Sequence, residues 1–224
     1  MPRLVLVATP IGNLEDITLR ALRVLKEADL IVAEDTRHAS KLLQHYGISK
    51  PLLSLHQHNE HWRVPQLIKR IISEDLLVAA VSDAGTPGIA DPGFLLVRTA
   101  VSQHLTVEVL PGPCAFLPAL VGSGLPCERF VFEGFLPPKK GRVVRLQALS
   151  NETRTFVLYE APHRLIQTLS QLIDYLGGER AAVVARELTK IHESFTRGTL
   201  AEIKSYFESH PPKGECVIVV AGKS

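Results

Sequence analysis

A chain of 224 residues in which 46% of the side chains are hydrophobic and 21% are charged can bury one large core or two modest ones. Its net charge of +2 excludes the overall basic field of a dedicated nucleic-acid binder, so any RNA contact has to be local or supplied by a partner. No apolar run is long enough to cross a bilayer and no signal-peptide pattern opens the sequence. The three cysteines are widely spaced and form no Cys-x-x-Cys pair, as in a reducing compartment. These features predict a cytoplasmic protein without a membrane partner, a disulfide framework or a zinc ribbon.

Apolar runs alternate with amphipathic runs through the first half, which is the pattern of α/β layering. Strands are predicted at Leu4–Ala8, Leu30–Ala33, Leu52–Leu55, Leu76–Val81 and Thr106–Leu110. Helices are predicted at Leu19–Glu27, Ser40–Tyr46, Val64–Glu74 and Phe94–Gln103. Short strands that are apolar almost throughout favour a parallel sheet covered on both faces.

The second half has a different order of predicted strands and helices. Strands are predicted at Arg129–Phe132, Thr155–Leu158, Ala181–Ala185, Glu193–Arg197 and Cys216–Val220. Helices are predicted at Arg142–Leu149, His163–Tyr175 and Ala201–Glu208. Glu193–Arg197 runs into Gly198 and is interpreted as an added antiparallel strand. Glycine and proline are dense between Pro111 and Pro126, so we predict two α/β domains, residues 1–115 and 116–224, with a cleft between them.

Four loops at predicted strand ends carry glycine, proline or paired charges: Thr9–Asp16, Glu34–His38, Ser82–Gly93 and Pro111–Ala115. Open α/β sheets bind ligands at the carboxyl ends of their parallel strands. Thr9–Asp16 lacks the Gly-x-Gly-x-x-Gly spacing, which disfavours an NAD site. Pro111–Ala115 opens a helix whose backbone N–H groups can bind a carboxylate. Together the four loops predict a ligand-binding cleft, whereas any one of them alone is typical of a tight turn.

A histidine cluster and a basic run can each be interpreted in two ways. His56, His58 and His61 stand with Trp62, but no matched carboxylate or thiolate lies nearby in the sequence, so no metal is predicted. This cluster is either a solvated loop or a patch that faces RNA, and Trp62 either stacks on a base or fills a core or interface. The run Lys139–Arg145 is the densest basic segment and is either a solvated helix start or a phosphate-binding surface.

Seven segments taken in order carry a resemblance to a known family. They are Thr9-Pro-Ile-Gly-Asn-Leu, Glu34-Asp-Thr-Arg, Ser82-Asp-Ala-Gly-Thr-Pro-Gly-Ile-Ala-Asp-Pro-Gly, Pro111-Gly-Pro-Cys-Ala, Phe132-Glu-Gly-Phe-Leu-Pro, Tyr159-Glu-Ala-Pro-His-Arg and Ala185-Arg-Glu-Leu-Thr-Lys. In this combination the chain resembles the bacterial small-subunit ribosomal RNA cytidine-2′-O-methyltransferases of the tetrapyrrole methylase superfamily. The resemblance spans essentially the whole chain. It implies two α/β/α domains of the tetrapyrrole methylase type, with the cofactor in the cleft between them.

The resemblance also implies an activity. The expected enzyme uses S-adenosylmethionine to methylate a ribose 2′-hydroxyl of a cytidine in the decoding region of 16S ribosomal RNA, on the assembled small subunit, and is a homodimer. Members of the family usually continue well past the position of Val220, so a short variant or a piece of a longer protein is expected. Carried over by position, the cofactor contacts are Pro10, Ile11, Gly12, Asp83, Gly85, Thr86, Pro87, Ile89, Cys114 and Ala115, with Leu136, Tyr159 and Glu160 from the second domain.

A ribose hydroxyl is a poor nucleophile, so methyl transfer calls for a base or a positioning group. The catalytic candidates are Asp35, Arg37, Asp83, Glu187 and Lys190, of which Asp35 and Glu187 are favoured for their charge and strand-end position. The proposed phosphate contacts are Lys139, Lys140, Arg142 and Arg145. Two alternatives stay open. One is a tetrapyrrole C-methyltransferase, which Thr86 disfavours because precorrin methylases carry Asp there. The other is a non-catalytic module that binds S-adenosylmethionine.

Overall fold

Within residues 1–223, which a computed structural model describes, the predicted alternation of elements produces ten strands and eight α-helices. The chain divides into a first unit, Met1–Cys114, and a second unit that begins at Ala115. Each unit contains one five-stranded sheet with helices packed against it. The α/β prediction is therefore confirmed. No helix in the described range is long and apolar enough to span a membrane.

The sheet of the first unit is entirely parallel and has the strand order β3-β2-β4-β1-β5. Its strands are β1 (Arg3–Leu6), β2 (Leu30–Ala33), β3 (Leu52–Ser54), β4 (Leu77–Val81) and β5 (Thr106–Val109). The chain leaves β1 toward β2 on one side and leaves β4 toward β5 on the other. Because β1 and β4 are neighbours, the sheet has a topological switch point between them, and such points form crevices for ligands.

Helices cover both faces of this sheet, which explains why its strands are apolar almost throughout. They are α1 (Leu19–Glu27), α2 (Thr36–His45), α3 (Glu60–Ser73) and α4 (Phe94–Ser102). On one face, Leu4 and Leu6 pack with the apolar stripes of α3 and α4. On the other face, Val5 and Val7 pack with α1 and α2. This alternation along β1 separates two cores in one unit.

Two of these helices begin four residues earlier than predicted. The α2 helix begins at Thr36 because the Asp35 side chain caps it, accepting from the backbone N–H of Arg37 at 2.8 Å. The predicted start at Val64 would put Pro65 in the first turn. In the structure α3 begins at Glu60 and Pro65 lies in the second turn, where it cannot donate to the carbonyl of His61. As a result, His61 and Trp62 lie on a helix and not in a loop.

The sheet of the second unit is mixed, with the strand order β6-β7-β10-β8-β9. Its strands are β6 (Phe130–Phe135), β7 (Thr155–Glu160), β8 (Ala181–Arg186), β9 (Ser194–Thr199) and β10 (Cys216–Val220). Only the β6–β7 pair is parallel, and it is interrupted by an irregularity between Phe132 and Gly134. The antiparallel pairing of β8 with β9 confirms the prediction for that segment.

Four helices accompany this sheet: α5 (Phe116–Ser123), α6 (Arg142–Ser150), α7 (Leu165–Leu176) and α8 (Leu200–Ser209). The α5 helix was not among the predicted helices, although a helix opening was expected after Pro111–Ala115. It ends at Gly124, which adopts the left-handed conformation that glycine tolerates. Phe156 and Ile218 are fully buried in the core that α6, α7 and α8 complete. His163 lies in a short 3-10 turn that precedes α7.

Candidate active site

The loops that follow β1 and β4 are joined by a backbone bridge. The N–H of Thr9 donates to the carbonyl of Gly85 at 2.9 Å, and the N–H of Gly85 donates back to Thr9 at the same distance. The buried hydroxyl of Thr9 also donates to the carbonyl of Ser82 at 3.3 Å. Gly85 has a φ of +80°, which an L side chain rarely adopts. The bridge therefore fixes two of the predicted cofactor loops against each other at the switch point.

The loop after β5 joins the same group. The Thr86 hydroxyl donates to the carbonyl of Pro113 at 3.0 Å. A Cβ atom added at Gly112 would lie 2.7 Å from the Cβ of Ala8, so this loop passes too close to the first for any side chain. A Cβ at Gly85 would meet Ile11 at 3.4 Å. Three predicted loops thus converge, and their main chains approach one another closely. Backbone sites that bind anions are built from loops of this kind.

The other predicted cofactor residues of the first unit belong to these three loops. Pro10 and Ile11 are half-buried and Gly12 is exposed, whereas Pro87 is buried. Ile89 turns back so that its N–H donates to Thr86 at 3.3 Å. Cys114 is half-buried, and Ala115 lies at the amino-terminal cap of α5. Contact of these residues with a cofactor stays a prediction.

The loop after β2 is tied to the β4 loop as well. The backbone N–H of Asp35 donates to Oδ1 of Asp83 at 3.1 Å. All four loops singled out from the sequence therefore lie at one edge of the first sheet. A small cavity of about 20 Å³ opens there, large enough for one water molecule, and its lining includes Glu34, Ser82, Pro87 and Gly93.

Glu34 is the carboxylate in this cavity, and the sequence argument passed over it in favour of its neighbour. Its side chain makes no hydrogen bond or ion pair with any described residue. Burial, together with the charges of Asp83 and Asp35, raises the pKa of Glu34, and the His56 ring offsets part of that rise. The Nδ1 atom of His56 is itself buried without a partner among the described residues. Such a carboxylate has the properties of a proton acceptor.

Asp35, one of the two favoured catalytic candidates, has both carboxylate oxygens bonded within the fold. Both of its oxygens accept from the Arg37 guanidinium, at 3.1 Å and 2.7 Å, while one also caps α2. These bonds hold the pKa of Asp35 far below its usual range. A carboxylate this acidic is a poor base, so the structure argues against that role for Asp35 and explains Arg37 as its partner.

Glu187 and Lys190 form a second occupied pair, in the second unit. The ammonium of Lys190 lies 2.9 Å from Oε1 of Glu187, and the same oxygen accepts the backbone N–H of Glu215 at 3.3 Å. The hydrogen bond from Lys190 lowers the pKa of Glu187. Glu187 also has a φ of +52°, so the turn is held in a strained conformation. The pair fixes the β8–β9 connection to the segment before β10, which disfavours a catalytic role.

Arg142 is predicted to bind phosphate, and the structure contradicts this. Its side chain is only 7% exposed and donates to Gln171 and Thr168, each at 2.7 Å. It also reaches the carbonyl groups of Leu136 and Pro137. Its charge is turned into the core, so it is not available to an RNA backbone.

Glu160 is the acid that balances this buried guanidinium. Thr168 donates to its Oε2 at 2.6 Å, the N–H of Ala161 donates to its Oε1 at 2.9 Å, and Arg142 lies 3.9 Å away. The Glu160 side chain is 1% exposed, so the predicted cofactor contact of this residue cannot come from its carboxylate. Leu136 is likewise buried, whereas Tyr159 is half-buried and packs edge-on against Phe132.

The rest of the basic segment is exposed. Lys139 and Lys140 face solvent, and Arg145 is 57% exposed although it pairs with Glu133 at 3.0 Å. These three side chains remain candidates for phosphate contact. Within residues 1–223, no group of three His, Cys, Asp or Glu side chains is arranged to hold a metal ion.

This architecture and site have known relatives. The family of Tetrapyrrole (Corrin/Porphyrin) Methylases matches residues 3–204 of the chain. A protein of Synechocystis sp. named Ribosomal RNA small subunit methyltransferase I is 53% identical, over 98% of this chain and 78% of its own length. The protein of the same name from Thermotoga maritima is 46% identical and is matched over 100% of both chains. The chain therefore belongs to the tetrapyrrole methylase family, and within that family to the group that these two relatives represent.

Solved structures share the fold at low sequence identity. Diphthine synthase matches with a TM-score of 0.77 and 18% identity, over 99% of this chain and 90% of its own. A cobalt precorrin-4 methyltransferase matches with a TM-score of 0.72 and 15% identity, over 98% and 94%. Uroporphyrin-III C-methyl transferase from Thermus thermophilus, in complex with S-adenosyl homocysteine, matches with 0.66 and 19%, over 98% and 97%. At these identities the similarity shows the fold alone.

Proposed function

We propose that this chain is an S-adenosylmethionine-dependent methyltransferase that acts on a ribose 2′-hydroxyl of a cytidine in the decoding region of 16S ribosomal RNA. The observation that carries the proposal is the convergence of the β1, β4 and β5 loops in a chain whose relatives are named ribosomal RNA methyltransferases. The choice of cytidine and of the 2′-oxygen rests on the motif resemblance. The small net charge of +2 favours an assembled subunit as substrate, because shape then adds to electrostatics.

The three joined loops fit the cofactor. The loops around Gly85 and Gly112 pass close to one another, and we assign the methionine carboxylate to backbone N–H groups of these loops other than the two of the Thr9–Gly85 bridge. Apolar groups of Ile11 and Pro87 beside them suit the remainder of the molecule. When bound, S-adenosylmethionine supplies a methyl group that moves from its sulfonium to the 2′-oxygen, with loss of the hydroxyl proton.

The chain must also accept the hydroxyl proton. We propose that the carboxylate of Glu34 takes it, because Glu34 lines the cavity beside the loops and has no internal partner. Its raised pKa brings the group closer to neutral pH, where a general base is most effective. Asp83 and His56 adjust this basicity in opposite directions. Asp35 and Arg37 then position the β2 loop through the helix cap.

Substrate contacts of the second unit complete the proposal. Lys139, Lys140 and Arg145 are assigned to phosphates and the half-buried Tyr159 to the cofactor, whereas the Leu136 side chain is buried in the core of the second unit and is not assigned there. The homodimer follows from the resemblance and the cytoplasmic location from the cysteine pattern, and both stay predictions. The alternative of a tetrapyrrole C-methyltransferase is disfavoured because the Thr86 hydroxyl is used in joining two loops. A module that binds the cofactor without catalysis is disfavoured because the unpartnered Glu34 would then have no use.

The test is transfer of labelled methyl from S-adenosylmethionine to unmethylated small ribosomal subunits, with deproteinised 16S RNA and a tetrapyrrole as parallel acceptors. We expect label on the subunit RNA and, after digestion to nucleosides, in 2′-O-methylcytidine. Label on the tetrapyrrole, or on a base of the RNA, would overturn the proposal. Cofactor binding without label on any acceptor would favour the non-catalytic module.

A further inference from the structure

The segment after β3 contains the histidine and tryptophan cluster that the proposed reaction does not use. It begins at the same edge of the first sheet as the four loops, because all five strands are parallel. Asn59 holds its first turn: its Oδ1 accepts from the His56 N–H at 2.9 Å, and its Nδ2 donates to Ser54 at 3.3 Å. Asn59 is buried. The turn into α3 is therefore fixed, and the side chains that follow it have defined positions.

Trp62 stands in the first turn of α3 with 53% of its surface exposed. The guanidinium of Arg63 lies 4.8 Å from the centre of its ring, a distance typical of cation–π contact. Arg63 is itself fixed, because its Nη1 donates to the carbonyl of Ser54 at the end of β3 at 2.6 Å. The indole is thus held by a rigid neighbour while more than half of it faces solvent.

The surroundings of Trp62 are predominantly basic. His58 and His61 are exposed, and Lys69 is exposed on the same helix two turns further on. Glu60 is the acid in this part of the helix, and it is half-buried. Residues seven apart lie on one face of a helix, so Trp62 and Lys69 are displayed in the same direction. We call His58, His61, Trp62, Arg63 and Lys69 the Trp62 surface.

We propose that the Trp62 surface binds single-stranded RNA, with a nucleobase stacked on the indole and the cationic side chains of Arg63 and Lys69 near its phosphates. Stacking on a rigid aromatic ring beside a guanidinium is how proteins hold unpaired bases without a fixed sequence. An acceptor nucleotide has to be drawn out of its stack to reach an active site, which leaves its neighbours unpaired. The proposal rests on the proposed function, since it gives these neighbours a binding place at the edge where the methyl transfer is assigned.

The chain supplies its own probe, because Trp62 is its single tryptophan. The experiment is a titration of the intact protein with a short single-stranded RNA, oligocytidine, followed by indole emission and, in parallel, by the anisotropy of a labelled oligomer. We expect a saturable change in emission with the midpoint found by anisotropy. Trp62→Ala should weaken RNA binding by about tenfold to a hundredfold, and Trp62→Tyr should retain most of it.

A matched control is Tyr206→Ala in α8. Tyr206 is also an exposed aromatic residue, 45% exposed, and stacks on His210 with ring centres 4.4 Å apart. This variant should bind RNA as the unaltered protein does. Emission that is insensitive to RNA, or a Trp62→Ala variant with unchanged RNA affinity, would overturn the proposal. Emission that varies with protein concentration and not with RNA would also overturn it, because Trp62 would then lie between two copies of the chain.

The outcome is separable from that of the proposed function. Affinity for S-adenosylmethionine and methyl transfer to subunits are measured on the same preparations. If the unaltered protein transfers no methyl group but its indole emission responds to RNA, the proposed methyl transfer is rejected and RNA binding by the Trp62 surface is kept. Normal transfer with silent emission would reject the surface and keep the reaction.

Discussion

Two clusters of ionisable side chains in this molecule differ in whether the fold satisfies their hydrogen bonds. In the second unit, Arg142 and Glu160 are buried and bonded to Thr168, Gln171 and nearby backbone groups. In the first unit, Glu34 lies near Asp83, Asp35 and His56, yet its carboxylate accepts no hydrogen bond from the described residues. The first cluster is complete within the fold. In the second cluster, the carboxylate oxygens of Glu34 can still accept a hydrogen bond or a proton from a substrate.

The difference shows how to distinguish structural from functional charge. A buried ion pair whose every group is bonded contributes little net stability, but it is costly to break. A partly buried carboxylate beside like charges is destabilising, and a fold keeps it when function requires it. On this criterion Glu34 is functional, whereas Arg142 and Glu160 serve the fold by fixing the Leu136–Pro137 segment and the end of β7.

The largest expected effect is on catalysis. Replacing Glu34 with Gln removes the proton acceptor and keeps the shape, so single-turnover methyl transfer should fall by about 10² to 10⁴-fold. Stability should not fall with it. The folded-state pKa of Glu34 is raised, so its ionised form costs stability above that pKa, and Glu34→Gln should unfold at an equal or higher urea concentration at neutral pH.

Asp35→Asn is the matched control for that experiment. Asparagine keeps the α2 cap and removes the neighbouring charge, so the rate of transfer should stay close to that of the unaltered protein. A large loss of rate in Asp35→Asn with little loss in Glu34→Gln would reverse the assignment of the base.

The next effect is on stability. Arg142→Met removes the hydrogen bonds to Gln171 and Thr168 and one of the two cations near buried Glu160, the other being Arg164 at 3.6 Å. It should lower the free energy of unfolding by about 1–3 kcal/mol. Arg145→Met breaks the pair of Glu133 with a largely exposed arginine and should cost less, about 1 kcal/mol. Urea denaturation of both variants tests the comparison. Equal costs would mean that the buried network does not have the structural role assigned to it.

Gly112→Ala tests the loops that hold the cofactor. The new methyl group would lie 2.7 Å from the Cβ of Ala8, and overpacking of this kind costs about 1–3 kcal/mol. Because the β5 loop must move, affinity for S-adenosylmethionine should fall, as calorimetric titration would measure. Gly47→Ala is the control: no atom lies within 4 Å of the added Cβ, and its φ of +64°, which Gly112 does not share, adds backbone strain away from these loops. If both variants bind the cofactor equally, the loops are not its site.

The smallest effect is expected at Glu187. Its ion pair with Lys190 is partly exposed, so Glu187→Gln should cost about 1 kcal/mol or less and leave the rate of transfer nearly unchanged. The folded-state pKa is lowered, so this contribution is present above the unfolded-state pKa and is lost as the pH falls through the folded-state pKa. Thermal unfolding at neutral and acidic pH checks the sign. A rate loss as large as that of Glu34→Gln would contradict the structural role.

The sequence was sufficient for the features that depend on local pattern. The apolar runs located β1 and β4, and glycine and proline marked the loops that the structure joins. The sequence was insufficient where the role of a side chain depends on contacts with residues far away in the chain. Arg142 was assigned to a basic surface because of its neighbours, but Gln171 and Thr168 lie 29 and 26 residues away in the chain. The start of α5 after Ala115 was predicted, but its extent over Phe116–Ser123 was not, because this short sequence lacks an amphipathic stripe.

The choice between Glu34 and Asp35 shows the same limit. Both are acids at the end of β2, and the sequence gives no reason to separate them. Asp35 is neutralised by a residue two positions away, so a helix-cap signal at this point could have identified its role. The environment of Glu34 depends on Asp83 and the β4 loop, which only the fold brings near.

The most direct measurement is the pH dependence of single-turnover methyl transfer to unmethylated small subunits by the unaltered protein and by Glu34→Gln and Asp35→Asn. If Glu34 is the base, the rate of the unaltered protein falls as the pH drops through one midpoint above the usual range of glutamate, and the pKa responsible belongs to Glu34. That midpoint should persist in Asp35→Asn, shifted slightly toward lower pH because a neighbouring negative charge is removed, and should disappear in Glu34→Gln. An unchanged midpoint in Glu34→Gln would show that another group accepts the proton.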